Sequence, residues 1–206
     1  MSNLEMLIVQ CGSIGPPYSL DLPDSLRYLK WGGYPLESLP SKFSPENLVE
    51  LHMRGGKVKE LWKEAQIVVN LQVIDLSDSY CLTEVPNLSG SLKLVEINLW
   101  GCKSLVEIPS YFQHLDKLIH LDLGYCKSLK YLPKMPGSIQ YLNLDGTGIK
   151  EVPESVWSNE NISYLDITDC IDLEKLPSSR CKLKNLYLRR CPEFENFQRF
   201  WSQWNI

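Results

Sequence analysis

The sequence lacks the short motifs that bind phosphate groups or hold a catalytic metal. It contains no G-x-x-x-x-G-K-[ST], no G-x-G-x-x-G, no H-E-x-x-H and no G-x-S-x-G. Its three histidines (His52, His114 and His120) are far apart along the chain, and its carboxylates are scattered rather than paired. We therefore expect that the chain is not an enzyme and that it binds no cofactor, no metal and no small-molecule substrate.

The sequence also lacks an excess of basic residues and any long apolar run. Its 21 Lys and Arg residues against 25 Asp and Glu residues give a net charge of −4, which does not favour a nucleic-acid partner. No apolar stretch approaches the ~20 residues of a membrane span. The opening MSNLEMLIVQ carries Glu5 and lacks the basic start of a secretion signal. We expect a cytoplasmic protein, or one that also enters the nucleus if it travels with a partner.

What the sequence contains instead is an internal repeat. Residues 94–109 read LVEINLWGCKSLVEIP, and residues 118–133 read LIHLDLGYCKSLKYLP. The template L-x-x-L-x-L underlies both, and clear copies of it begin 21 to 24 residues apart at Leu26, Leu48, Leu71, Leu94, Leu118, Ile139, Ile162 and Leu183. A weaker copy begins at Leu4. Self-similarity at this period is typical of a leucine-rich-repeat solenoid.

The spacing within one repeat predicts its structure. The alternation x-L-x-L has period two, so each copy is expected to form a short strand with leucines on one face. The prolines that follow most copies end the regular pairing. We predict an α/β repeat solenoid, a curved leucine-rich-repeat horseshoe. It has a parallel sheet on the concave face and short 3₁₀ or irregular segments on the convex face, with single helical turns near 110–116 and 155–160.

The whole chain is expected to form one leucine-rich-repeat domain, residues 1–206. No linker, charge block or low-complexity run interrupts the repeats. The domain comprises eight to nine repeats, with a weak first repeat at 1–25, clear repeats at 26–197 and a tail at 198–206.

Four of the seven cysteines occupy one template position, which Ser79 and Thr147 fill in other repeats: Cys102, Cys126, Cys170 and Cys191. We expect these side chains to be buried, reduced and placed to accept hydrogen bonds from backbone N–H groups. Neighbouring copies would point their Cβ atoms in parallel, which is the wrong geometry for a disulfide, and no C-x-x-C pair suggests a metal. The sequence does not explain Cys11, Cys81 and Cys181.

The strand positions between the leucines face the concave side, where solenoids bind partners. From the fourth repeat onward they form an acidic, amide-rich floor edged with aromatic residues. Tyr, Trp and Arg dominate interface hot spots, although exposed strands favour aromatic residues in any case. The candidate partner-binding residues are Trp100, Asp122, Tyr125, Tyr141, Asn143, Tyr164, Asp166, Tyr187 and Arg189.

The residue pattern of the repeats is similar to that of a known family. LPDSLRYLKWGGYPLESLPSKFSPENLVELHM (22–53), GCKSLVEIP (101–109) and IQYLNLDGTGIKEVPESV (139–156) resemble the repeats of plant intracellular immune receptors of the TIR–nucleotide-binding–leucine-rich-repeat class. The resemblance implies a role in plant defence and signal transduction, by sensing a pathogen effector or a guarded host protein. It also implies contact with the domains of a full-length receptor, in which such repeats hold the nucleotide-binding domain inactive.

Two features separate this chain from a complete receptor. The TIR domain and the nucleotide-binding domain of the family are absent, so we expect a fragment, a truncated product or a short isoform. The alternatives are a general protein-binding scaffold or adaptor outside immunity, and the recognition part of a ubiquitin ligase. The second would need a shorter repeat period and a catalytic-cysteine domain.

Overall fold

The computed structural model describes residues 3–10, 20–62, 66–175 and 183–191. Within these residues, nine parallel strands pair in chain order to form one sheet. The strands are β1 (Met6–Val9), β2 (Tyr28–Trp31), β3 (Glu50–His52), β4 (Val73–Asp75), β5 (Glu96–Asn98), β6 (His120–Asp122), β7 (Tyr141–Asn143), β8 (Tyr164–Asp166) and β9 (Leu186–Tyr187). Cys11, Cys181 and the predicted tail at 198–206 lie outside these residues.

The register of the sheet follows the predicted template. Leu121, in the middle of β6, is aligned with Ile97 of β5 and Leu142 of β7. In each of the three-residue strands β3 to β8, this middle residue is buried while its two neighbours are partly exposed. The alternation arises because successive side chains of a strand point to opposite faces. The prediction of a parallel-sheet leucine-rich-repeat solenoid is therefore confirmed.

Return segments between the strands contain little helix. Two 3₁₀ helices span Pro45–Asn47 and Ser110–His114, and one short helix, α1, spans Glu154–Trp157. Pro109 and Pro153 precede the latter two, where the missing N–H of proline costs no helical hydrogen bond. The predicted helical turns near 110–116 and 155–160 are present. Among the described residues, no helix is long and apolar enough to cross a membrane.

The core is one continuous stack of leucine and isoleucine side chains from successive repeats. A single repeat could not cover its own apolar residues, so each one depends on its neighbours for burial. The fully buried residues include Leu29, Leu51, Ile97, Leu121 and Leu142.

The column of cysteines extends this core along the solenoid. All four are buried free thiols, as predicted. The sequence predicts that these thiols accept hydrogen bonds. In the structure each thiol mainly acts as a donor, to a backbone carbonyl of the preceding repeat. Cys102 donates to Leu76 at 3.2 Å and Cys191 donates to Ile167 at 2.9 Å. Burial raises the pKa of the Cys102 thiol to about 12, and the backbone N–H of Ser79 opposes this rise.

Candidate functional site

In strands β1 to β8, the first and third residues point away from the leucine core and form the solvent-facing side of the sheet, to which β9 contributes Tyr187. This side corresponds to the concave face of the sequence prediction, and we use that name for it. Because the strands are parallel and in register, residues at the same template position line up in columns across the sheet. Neighbouring members of a column lie one strand spacing apart, ~4.8 Å.

Aromatic rings stack along the first of these columns. The ring centroids of His120 and Tyr141 are 4.0 Å apart with planes 5° from parallel, and those of Tyr141 and Tyr164 are 4.4 Å apart at 7°. Tyr187 of β9 lies in the neighbouring column, paired with Asp166, but its ring leans against that of Tyr164, with centroids 4.8 Å apart and a tilt of 35°. We call these four residues the aromatic ladder. The stacking covers both faces of the Tyr141 ring, and the residue as a whole is partly exposed.

The third strand position carries aspartate or asparagine in five consecutive strands, and we call these residues the Asx column. In each of them the side-chain Oδ1 accepts a hydrogen bond from the backbone N–H two residues further on, at 2.9 to 3.0 Å. The bond satisfies an N–H group that the sheet leaves unpaired where the strand ends. The members of the column are Asp75, Asn98, Asp122, Asn143 and Asp166. Asp122, Asn143 and Asp166 therefore have a structural role that the sequence prediction did not include.

A backbone turn with positive φ follows the Asx column in every one of these repeats. Glycine fills this turn position in two repeats, at Gly101 (φ 76°) and Gly146 (φ 63°). In the repeat between them the position is filled by Tyr125, which adopts φ 58° although it has a side chain. The Tyr125 ring lies over Gly146, where an added Cβ would meet its ring atoms at 3.2 Å. Tyr125 also packs edge-on against Trp100, with ring centroids 5.4 Å apart. The turn thus places these two aromatic residues at the side of the Asx column opposite the ladder.

Negative charge is concentrated in this part of the concave face. Burial raises the pKa of Asp122, and hydrogen bonds from Gly124 and Asn143 oppose the rise. Burial, with the nearby Asp166 charge, raises the pKa of Asp145 as well. The second carboxylate oxygen of Asp166 accepts a hydrogen bond from the Tyr164 hydroxyl at 3.0 Å. Within the described part of the chain, none of these three carboxylates forms a salt bridge with lysine or arginine.

Basic residues lie at the C-terminal end of the same face. The Arg190 guanidinium forms a salt bridge with Asp169, and the side chain of Arg189 is exposed. Arg190 also occupies the turn position with positive φ. The predicted Arg189 follows Tyr187 by two residues, and its backbone carbonyl accepts a hydrogen bond from the Asp169 N–H at 2.8 Å.

The structure brings most of the predicted residues together. Tyr141, Tyr164 and Tyr187 join the ladder, and Trp100 pairs with Tyr125 on the other side of the Asx column. The sequence prediction missed His120, whose place in the same template column as Tyr141 was the available signal. Whether any of these residues binds a partner stays a prediction. In the part of the chain that the structure describes, no group of three or more His, Cys, Asp or Glu side chains is arranged to hold a metal ion.

One parallel strand per repeat, a continuous leucine stack and short return segments define the leucine-rich-repeat class. Two solved structures have the same fold. YopM from Yersinia enterocolitica matches 92% of this chain and 44% of its own, with a TM-score of 0.58 and 23% identity. A leucine-rich-repeat protein of Leptospira interrogans matches 87% of this chain and 59% of its own, with a TM-score of 0.54 and 18% identity.

Curated relatives from Arabidopsis thaliana specify the resemblance further. Disease resistance protein RPP2A is 34% identical to this chain over 86% of the chain's length. Disease resistance-like protein DSC1 is 36% identical over 85% of the chain, and Disease resistance protein RPS4B is 34% identical over 89% of it. The chain resembles the leucine-rich-repeat region of plant TIR–nucleotide-binding–leucine-rich-repeat disease resistance proteins, as the motifs in its repeats predict. It spans only 16 to 17% of the length of these three relatives. No protein-family model matches it.

Proposed function

We propose that the chain is the protein-recognition module of a plant intracellular immune receptor. Its concave face contacts a pathogen effector or a guarded host protein, and it carries out no chemical reaction on that partner. The names of the relatives, which are disease resistance proteins, support the biological setting. The repeat architecture supports the mode of action, because a solenoid offers an extended surface rather than an enclosed pocket.

The aromatic ladder is the observation that carries this proposal. Tyrosine contributes a large apolar contact area and a hydrogen-bonding hydroxyl, and few side-chain rotations are lost when it binds. In the ladder, neighbouring rings already hold Tyr141 and Tyr164 in place. A partner would therefore meet an ordered surface and would lose less entropy on binding than at a mobile one.

In a complete receptor, the same repeats would also restrain the nucleotide-binding domain. A ligand changes such an equilibrium only if it binds the active arrangement more tightly than the restrained one. Competition between the ligand and a receptor domain for the concave face would satisfy this requirement. We place this activity in the cytoplasm, or in the cytoplasm and nucleus if a partner carries the chain there.

The proposal is tested by comparing the proteins that the chain recovers from infected plant tissue. Tagged wild-type chain is compared with Tyr141→Ser/Tyr164→Ser, which removes the central rings of the ladder. The matched control is Tyr80→Ser/Tyr131→Ser, because Tyr80 and Tyr131 are exposed tyrosines outside the sheet. Thermal melts of all three proteins show whether each is folded.

We expect a set of proteins that the wild type and the control recover and the ladder variant does not. Each is then confirmed by direct binding between purified proteins. Ladder-dependent partners with no link to infection would instead favour a scaffold or adaptor outside immunity. Recovery of the same proteins by all three chains would contradict recognition through the concave face.

A further inference from the structure

The aromatic ladder and the Trp100–Tyr125 pair border a polar strip on the concave face. The strip consists of the Asx column, with Asp122, Asn143 and Asp166 on the adjacent strands β6, β7 and β8. Aromatic side chains precede it on one side and follow it on the other. We call this arrangement, with its polar floor and aromatic borders, the trough.

Charge distinguishes the trough from the N-terminal half of the concave face. The N-terminal strands β2 and β3 and the turn after β3 carry charges of both signs, with Lys30, His52 and Arg54 beside Glu50, whereas β6 to β8 and their turns carry Asp122, Asp145, Asp166 and Asp169. Of these four acids, Asp169 forms a salt bridge with Arg190. The partial burial that raises the pKa of Asp122 and Asp145 also strips water from their carboxylates. A cation supplied by a partner would gain more from such groups than from fully hydrated ones.

We infer that the trough binds an extended segment of a partner protein that carries arginine side chains. The inference rests on the proposed function and specifies the chemistry of its partner. Arginine fits better than lysine because the Oδ1 atoms of Asp122 and Asp166 already accept backbone hydrogen bonds, and a guanidinium with five N–H donors can reach the remaining carboxylate lone pairs from several directions. Its aliphatic stem packs against the partly exposed Tyr141 and Tyr164 side chains. The acidic floor selects against an anionic segment of the same shape.

The spacing of the carboxylates predicts the spacing of the arginines. Asp122 and Asp166 lie two strands apart, which corresponds to ~9.6 Å at the usual strand separation. A polyproline II segment rises ~3.1 Å per residue, so side chains three residues apart lie ~9.3 Å apart on one side of it. An arginine at every third position would therefore reach both carboxylates, with the two intervening residues opposite Asn143.

The test uses the whole chain and a fluorescein-labelled peptide of repeated Arg-Pro-Pro units, with binding followed by fluorescence anisotropy. Two peptides of the same length serve as probe controls. Repeated Glu-Pro-Pro units reverse the charge, and repeated citrulline-Pro-Pro units keep the shape of arginine without its charge. We expect only the arginine peptide to bind, and its affinity to fall as salt is added. Equal binding of the citrulline peptide would overturn the inference.

The matched variants are Asp122→Asn/Asp166→Asn and Glu84→Gln/Glu107→Gln. Asparagine already occupies the Asx column at Asn98 and Asn143, so the first variant keeps the backbone hydrogen bonds while removing two charges. Glu84 and Glu107 are exposed residues outside the sheet, and their variant makes the same change in net charge. We expect the trough variant to bind the arginine peptide at least roughly tenfold more weakly, and the control to bind it like the wild type.

The inference and the proposed function fail in different ways. If the trough variant binds the arginine peptide as tightly as the wild type, the inference is wrong. A partner that depends on Tyr141 and Tyr164 but binds through a segment without arginine would also overturn it, while the proposed function would stand. Recovery of the same proteins by the wild type and the Tyr141→Ser/Tyr164→Ser variant would contradict the proposed function instead.

Discussion

The rings of Tyr141 and Tyr164 lie parallel, 4.4 Å between centroids and 7° between planes, although 23 residues of chain separate their repeats. The sheet register produces this contact, since Tyr141 and Tyr164 are directly paired on β7 and β8. Stacked aromatic pairs contribute ~0.5–1.5 kcal/mol beyond the area that they bury. The surface proposed for recognition therefore also helps to hold neighbouring repeats in register.

Replacing Leu121 by aspartate should unfold the repeats around it. Leu121 is fully buried, so the substitution places a charge without a partner in the core and should lower the free energy of unfolding by at least about 3 kcal/mol. Ile119→Asp provides the matched control, because Ile119 lies two residues away and is 38% exposed. Urea unfolding followed by circular dichroism measures the difference. Equal midpoints for the two variants would mean that the register is wrong.

Replacing Gly101 in the turn after β5 by alanine should lower the free energy of unfolding, whereas replacing Gly90 should not. Gly101 has φ 76°, and an added Cβ would lie 2.7 Å from the Asp78 carboxylate, so Gly101→Ala should cost about 1–2 kcal/mol or more. Gly90 has an ordinary backbone conformation with no atom within 4 Å of an added Cβ. Gly90→Ala should leave the free energy of unfolding within about 0.5 kcal/mol of the wild type. The explanation fails if the two variants are equally stable.

The Asp122→Asn variant should be more stable than the Asp122→Ala variant. Its Oδ1 accepts hydrogen bonds from the Gly124 backbone N–H at 2.9 Å and from Asn143 at 3.0 Å. Alanine leaves the buried Gly124 N–H without its acceptor, which should destabilise the chain by about 1–3 kcal/mol. Asparagine keeps an acceptor oxygen and removes a charge that burial disfavours. Chemical unfolding of both variants at neutral pH tests this, and similar losses for both would contradict the capping role.

The native chain should react with alkylating reagents at Cys81 but not at the buried cysteine column. Burial raises the pKa of Cys102 and of Cys170 to about 12, so both remain protonated thiols at about pH 8. Cys81 is exposed and serves as the internal control. Iodoacetamide labelling followed by peptide mass spectrometry measures each site, with the denatured chain as the fully reactive reference. Labelling of Cys102 as fast as Cys81 would disprove the burial of the column.

The chain should lose stability in alkaline solution because burial raises the pKa of Cys102. Its folded pKa of about 12 lies above the unfolded value of 9.0, so the folded chain keeps a proton that the unfolded chain releases in this interval. The stabilisation is complete below pH 9.0 and is lost as the pH rises toward 12. The loss amounts to at most about 1.4 kcal/mol per pH unit for one group. Cys102→Ser should reduce this slope, because Ser79 already fills the same template position; an unchanged slope would contradict the assignment.

The periodicity of the leucines was sufficient to predict the sheet register. One repeat cannot bury its own apolar face, so a pattern such as Ile97, Leu121 and Leu142 at matching template positions has only one arrangement that covers it. The same alignment predicts which polar residues share a column on the concave face. It could not predict what those residues do. Asp122 and Asp166 were expected to face a partner, and their side chains also terminate strands by accepting backbone hydrogen bonds.

The sequence by itself determined the repeat, the buried positions and the columns of the concave face, because these depend only on spacing along the chain. Only the tertiary structure decided how side chains in neighbouring columns meet. It placed Tyr187 of one column against Tyr164 of another, and it gave Tyr125 a turn conformation that glycine fills in neighbouring repeats. Such contacts depend on ring orientation and backbone angles, which are set by packing between repeats rather than by the order of residues within one.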